Sequence, residues 1–182
     1  MNSNLAKVGE PTRWPPGKSG NPAGKPPGAL RGSPLDRHSR GDLSSQLDAL
    51  YRINVRMPFA LTQGLLPLLK LQQGQIVFIN SSQGIQARAN SGPFAATQHA
   101  LKAITDSLRQ EVNADGIRVL SIFPGRTATP RMKALYEAEG RRYQPKLLLQ
   151  AEDIAQVVLN AVLLPRSAEI TNVEIRPHVK SY

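Results

Sequence analysis

The chain contains no cysteine. That excludes disulfides and thiolate metal sites and fits a reducing compartment. Aromatic residues make up 5% of the sequence and there is one tryptophan, Trp14. A lone ring in the N-terminal segment is a poor stacking platform for nucleic-acid bases. No run of 18 apolar residues occurs, so no membrane-spanning helix is expected. The N-terminus lacks the apolar segment of a signal peptide. A cytoplasmic protein is the expectation from these absences. At 182 residues and 40% hydrophobic content, one core-forming domain plus a tail is expected.

Positive charge is abundant and uneven. The net charge is +10. Residues 1–41 hold 7 Lys/Arg against 2 Asp/Glu, and also 7 of the 15 prolines and 7 of the 14 glycines. Proline removes a donor and glycine raises the entropy cost of order, so this segment reads as a disordered basic tail. Its charge is compatible with nucleic acid or an anionic surface, and equally with solubility alone. The string GKSGNPAGKPPG resembles a short Gly/Pro/basic N-terminal module of bacterial and phage proteins that has no known function. Gly17-Lys18-Ser19 ends like a phosphate-binding loop, but Thr12 stands where that loop needs glycine and no strand precedes it. The glycines at 20, 24 and 28 do not form a dinucleotide fingerprint.

Residues 42–182 read as an alternation of helices and strands. Leucines and isoleucines from Leu43 to Leu69 recur at helical spacing up to Lys70, with a kink expected at Pro58. Gln75 to Asn80 carries the run Ile76-Val77-Phe78-Ile79, which suits a strand buried on both faces of a parallel sheet. Phe94, Leu101, Ile104, Leu108 and Val112 form one stripe of a helix over 94–114, stopped by Gly116. Ile117 to Phe123 is a strand ended by Pro124-Gly125. Glu152 and Asp153 open a helix with Ile154, Val157, Val158, Ala161 and Val162 on its buried side. Ile170 to Arg176 is the last strand, and Pro177 to Tyr182 is expected to fray. The fold class is α/β, a partial doubly wound parallel sheet of about three strands with flanking helices.

Residues 74–98, GQIVFINSSQGIQARANSGPFAATQ, resemble the short-chain dehydrogenase/reductase family. That family has a Gly-led strand ending in Ser-Ser, then a helical Tyr-x-x-x-Lys that starts 13 residues after the catalytic Ser. The resemblance puts Ser81 on the catalytic Ser, Phe94 on the Tyr and Gln98 on the Lys. RINVRMPFALTQGLLPLL is similar to the family's fourth helix, with Asn54 on its catalytic Asn. PGRTATPRM resembles the turn that meets the nicotinamide amide, through Pro124, Gly125 and Thr129, or Thr127 as second choice. Against this, Asn54 can be read as a polar residue at a kink. Phe94 can be read as core at the head of its stripe, and the threonines as caps of the next helix. Residues 130–148 stand in the place of the family's substrate lid, where Lys133, Arg141, Arg142 and Lys146 read as a solvated basic face.

The resemblance covers about residues 42–180 and corresponds to the second half of such an enzyme. It implies an NAD or NADP cofactor, but the expected adenosine- and pyrophosphate-binding half would be absent. A phenyl ring at 94 has no proton to give, and Gln98 has no charge with which to lower a tyrosine pKa. His99 lies roughly 100° around the helix from Gln98, a poor position for a substitute acid. Three readings stand. One is a non-catalytic relative of NAD(P)-dependent oxidoreductases. Another is an oxidoreductase whose partner chain completes the cofactor site. The third is a nucleic-acid-associated protein acting through its tail. A homo-oligomer is expected, through the helices at 42–70 and 94–114 or the apolar strand at 75–80.

Overall fold

The apolar run Ile76–Ile79 lies in β1 (Gln75–Ile79), the first strand of a three-stranded sheet. The computed structural model describes residues 43–179. The readings made for residues 1–41, Trp14 and the phosphate-loop look-alike among them, lie outside the described residues. β1 runs parallel to β2 (Arg118–Pro124), and β2 runs parallel to β3 (Asn172–Ile175). Val77 is in register with Leu120, and Ile122 with Val173. The α/β expectation of a short parallel sheet with flanking helices holds.

Alternation along the strands sorts side chains onto two faces. Phe78 and Val119 pack with Leu101, Leu108 and Val112 of α3 (Gly92–Val112), backed by Leu66 and Leu69 of α2 (Met57–Gln72). On the other face, Leu120 and Ile122 meet Ala161, Val157 and Val158 of α5 (Ala151–Val162), together with Val77. The helices thus cover both faces, as parallel sheets require. Coverage of β1 is less than its apolar run predicts. Phe78 is buried, Ile76 and Val77 are half-buried, and Ile79 is 55% exposed. Among the described residues β1 pairs on one side only, so its outer edge has no neighbouring strand to shelter it.

The long N-terminal helix differs from expectation in how it treats Pro58. α1 (Leu43–Tyr51) passes into a π-helical segment, Arg52–Arg56, and then into α2. Pro58 sits in the first turn of α2. The slipped hydrogen bonding just upstream accommodates a residue that cannot donate, and the axis continues without a break. Gln73, at φ 46°, ends α2 and turns the chain into β1. α3 starts two residues before Phe94, with Pro93 in its first turn. Gly116, at φ +73°, ends the 3-10 turn that follows it.

Two arginines tie the layers together. Arg109 of α3 donates from Nε to the Val119 carbonyl at 2.8 Å and from Nη2 to the Thr171 carbonyl at 3.0 Å. Arg118 of β2 donates to the carbonyls of Val162 and Ala168, at 3.1 and 2.9 Å, where α5 ends and the loop leads to β3. Charge-assisted bonds to backbone oxygens are stronger than neutral ones. α5 itself opens on a capping box in which Gln150 and Asp153 bond each other's backbone amides.

Asp106 on α3 receives Lys102 and Arg109. Burial opposes its ionisation, but the hydrogen bonds and charges of Lys102 and Arg109 outweigh burial and hold its carboxyl below the usual carboxylate range. A carboxyl depressed by folding stabilises the protein above its unfolded pKa, and that contribution is lost as pH falls through the folded value. Melting curves of wild type and Asp106→Asn should therefore differ at neutral pH, by up to about 1 kcal/mol, and converge in acid below about pH 4. A gap that persists unchanged into acid contradicts this assignment.

The turn after β1 packs tightly on α3. A Cβ built on buried Gly84 would stand 2.7 Å from Asn80 Oδ1 and 2.9 Å from the Gln98 carbonyl oxygen. Neither gap admits a methyl group without moving the turn or the helix. Gly84→Ala should cost about 1–3 kcal/mol of stability, read by denaturant unfolding. Gly64→Ala is the control, since nothing lies within 4 Å of its added carbon, and a helical alanine there should stabilise by about 0.5–1 kcal/mol. Equal effects at the two positions would contradict the packing argument.

Candidate functional site

Ser81 leaves the carboxyl end of β1 in an extended conformation and caps a single 3-10 turn, Ser82–Gly84. Its Oγ accepts the Gln83 amide at 3.2 Å, and its own amide donates to Asn80 Oδ1 at 2.7 Å. Asn80 is buried, and its Nδ2 donates to the Gln98 carbonyl at 3.3 Å. One side chain therefore fixes Ser81 and the middle of the first turns of α3 relative to each other.

Asn54 lies within the π-helical segment and is half-buried. Its Nδ2 donates to Thr97 Oγ1 at 3.0 Å, and that hydroxyl donates to the Phe94 carbonyl at 2.8 Å. Asn54 and Ser81 are thus tied, through Thr97 and Asn80, to the backbone of residues 94–98 of α3. Whichever reading of Asn54 holds, its amide makes a bond across 43 positions of sequence. Asn80 and Thr97 were not singled out from the sequence. The one signal for Asn80 is its place as the first polar residue after an apolar run. Thr97 carries no sequence signal beyond standing next to Gln98.

Phe94 does not head a buried stripe. It is half-buried, and the Arg131 guanidinium lies 5.0 Å from its ring centre. The buried positions of α3 are instead Ala95, Thr97, Gln98, Leu101, Thr105, Leu108 and Val112, so polar residues occupy much of the face that the apolar pattern assigned to Phe94 and Ile104. Gln98 is 5% exposed, where an uncharged amide is far cheaper to bury than an ammonium. His99 is exposed, and its Nδ1 donates to the Ala95 carbonyl at 2.9 Å, back along its own helix.

The second group of residues sits at the carboxyl end of β2, beside the end of β1. Pro124 is buried, and the Gly125 amide donates to the Ile175 carbonyl at 2.7 Å. Thr127 Oγ1 donates to the Gly125 carbonyl at 3.2 Å. Thr129 Oγ1 accepts the Met132 amide at 3.1 Å and caps α4 (Pro130–Ala138). That is the capping role, and the hydroxyl proton is still able to donate. Beyond Thr129 the lid segment folds on itself. Buried Tyr136 meets Tyr143 edge to face at 5.7 Å, with the guanidiniums of Arg126 and Arg141 4.8 and 4.7 Å from its ring centre. Arg141 is therefore engaged in this cluster rather than part of a solvated basic face.

The chemistry available follows from these groups. Ser81 can donate a hydrogen bond to a carbonyl oxygen. Asn54, Thr97, Phe94 and Gln98 supply no proton that titrates near neutral pH. A dinucleotide would find Thr129 and the Pro124–Gly125 turn for its amide end. Its phosphates need a run of bare amides at a glycine-rich turn between a strand and a helix. Among the described residues neither strand-to-helix connection has that turn: 80–91 contains Gly84 alone, and 125–129 contains Gly125 alone. The described residues therefore hold no such run of amides for the phosphates.

The short chain dehydrogenase family matches residues 35–140. Among curated proteins, an uncharacterised short-chain type dehydrogenase/reductase of Sinorhizobium fredii is 32% identical over 141 residues, 75% of this chain and 57% of that protein. An uncharacterised oxidoreductase of Staphylococcus epidermidis is 32% identical over 133 residues, 72% of this chain and 55% of that protein. The chain thus spans little more than half the length of these relatives. Among solved structures, the closed form of a serine dehydrogenase complexed with NADP+ superposes with a TM-score of 0.70 at 23% identity, over 79% of this chain and 60% of that one. An alcohol dehydrogenase from the archaeon Thermococcus sibiricus, complexed with 5-hydroxy-NADP, superposes with a TM-score of 0.65 at 19% identity, over 81% and 59%. These two likenesses establish a Rossmann-like fold. By the match over residues 35–140, this chain belongs to the short-chain dehydrogenase family.

Proposed function

We propose that this chain is a member of its family that does not transfer hydride on its own. The observation that carries the reading is the pair Phe94 and Gln98. They stand on α3 in the frame that Ser81, Asn54 and Asn80 define by their hydrogen bonds. A carbonyl held by Ser81 would meet a ring with no acidic proton and an amide with no charge. Losing general acid catalysis costs about 10²–10⁴ in rate. The described residues also hold no cradle for the phosphates of a dinucleotide.

A second reading has one observation in its favour. The outer edge of β1 has no strand partner among the described residues, and Ile79 is exposed there. An unpaired apolar edge is a template for another strand. Under this reading a partner chain adds the nucleotide-binding part, and an NAD(P)-dependent activity on a carbonyl or alcohol appears only in the mixture. Self-association is proposed alongside it, because α2 exposes Met57, Phe59, Leu61, Leu65, Leu68 and Leu71. Contiguous exposed apolar surface of that kind marks interaction sites.

Turnover decides between these readings. The purified chain, given NADH or NADPH and a panel of aldehydes and ketones, should oxidise no cofactor. Phe94→Tyr with Gln98→Lys should gain no activity either, because the described residues hold no cradle for the phosphates. Steady turnover by the wild type overturns the proposal. Activity in the double variant alone would place the defect at those two side chains. Light scattering should give a mass above that of one chain. A monomer with a cooperative melt would contradict self-association.

A further inference from the structure

Arginine lies just beyond the ends of β2 and β3, and another stands in the connection that follows β1. Arg88 lies in the connection from β1 to α3, Arg126 follows the Pro124–Gly125 turn of β2, and Arg176 follows β3. All three line an open cleft of about 250 Å³, against one acidic residue, Glu174. The ends of β2 and β3 are locked together. Besides the bond from the Gly125 amide to Ile175, a Cβ at 125 would stand 3.2 Å from Pro177 Cδ and 3.3 Å from Arg176 Cα. Glycine at 125 is what lets the two arginine-bearing segments approach this closely.

Arg126 is held in place by its neighbours. Its guanidinium lies over the Tyr136 ring, and its Nη2 is 3.4 Å from Glu139 Oε2. The same carboxylate oxygen receives Arg141 at 3.1 Å. One carboxylate oxygen therefore receives two guanidiniums. Arg126 lines the wall of the cleft, and the planar guanidinium matches the geometry of an oxyanion. Arg176 is exposed and takes part in none of the ion pairs among the described residues.

We propose that this cleft binds a small organic oxyanion, a carboxylate or a phosphate, held by Arg126 and Arg176, with Arg88 adding positive charge at the rim. The volume is below the range of about 300–1,000 Å³ usual for drug-sized ligands, so the ligand is a small metabolite and not a dinucleotide. The site needs no turnover and stands whether or not the chain is an enzyme.

Isothermal titration of the full chain with citrate, glucose 6-phosphate and uncharged glucose tests this. Citrate, glucose 6-phosphate or both should bind, and glucose should not. Binding of one anion alone identifies the headgroup as carboxylate or phosphate. Arg176→Gln should weaken binding about tenfold or more, as expected for the loss of one charged hydrogen-bond partner. Glu174→Gln should tighten it. Both side chains are exposed, so an unchanged melting temperature checks that the variants fold. No anion binding overturns the proposal. So does binding that Arg176→Gln leaves unchanged, since the anion would then be held elsewhere on a basic chain.

Discussion

A buried amide side chain at the end of β1 holds this structure's business end together. Asn80 accepts the Ser81 amide on one side and donates to the Gln98 carbonyl on the other. Gly84 completes the contact by leaving no side chain between the turn and α3. Breaking a buried polar link strands its partners without water, which makes such links costly to lose. Everything chemically interesting near Ser81 depends on this link, because it sets where the first turns of α3 stand relative to the strand end. The bond from Asn54 to Thr97 does the same for the π-helical segment.

On our proposal, the scaffold and the chemistry have parted company at this site. The hydrogen bonds that position Ser81 and Asn54 are present, and the residues they would position for proton transfer are a phenylalanine and a glutamine. Gln98 is buried without bringing a charge into the interior. Arg131 covers part of the Phe94 ring, which suits a ring face and does not depend on a hydroxyl. These substitutions are accommodated by their surroundings, so the fold does not require the missing groups.

The regular elements were legible in the sequence because each rests on local pattern. The apolar run of β1, the spaced apolar residues of α3 and α5, and the Pro-Gly end of β2 all announce themselves within ten or twenty residues. The π-helical segment was not legible, because Pro58 signals trouble without saying whether the helix bends or slips its hydrogen bonds. The polar face of α3 was missed for a similar reason. Thr97, Gln98 and Thr105 are buried because Asn54, the turn after β1 and Ser121 meet them there, and those partners are distant in sequence. The cluster of Arg126, Arg141, Tyr136 and Glu139 likewise forms only when the segment after β2 folds back. Family resemblance pointed to Ser81, Asn54, Phe94 and Gln98 as candidates. It did not point to Asn80 and Thr97, which bond to them.

We propose that the frame around Ser81 survives without a proton relay. Single-turnover mixing with nicotinamide deuterated at its transferable position tests it most directly. Mass spectrometry of the alcohol product, with a large excess of protein over carbonyl compound, reads even a slow event. The account predicts no deuterium above the protein-free control. Deuterium accumulating in the alcohol in proportion to protein would contradict it.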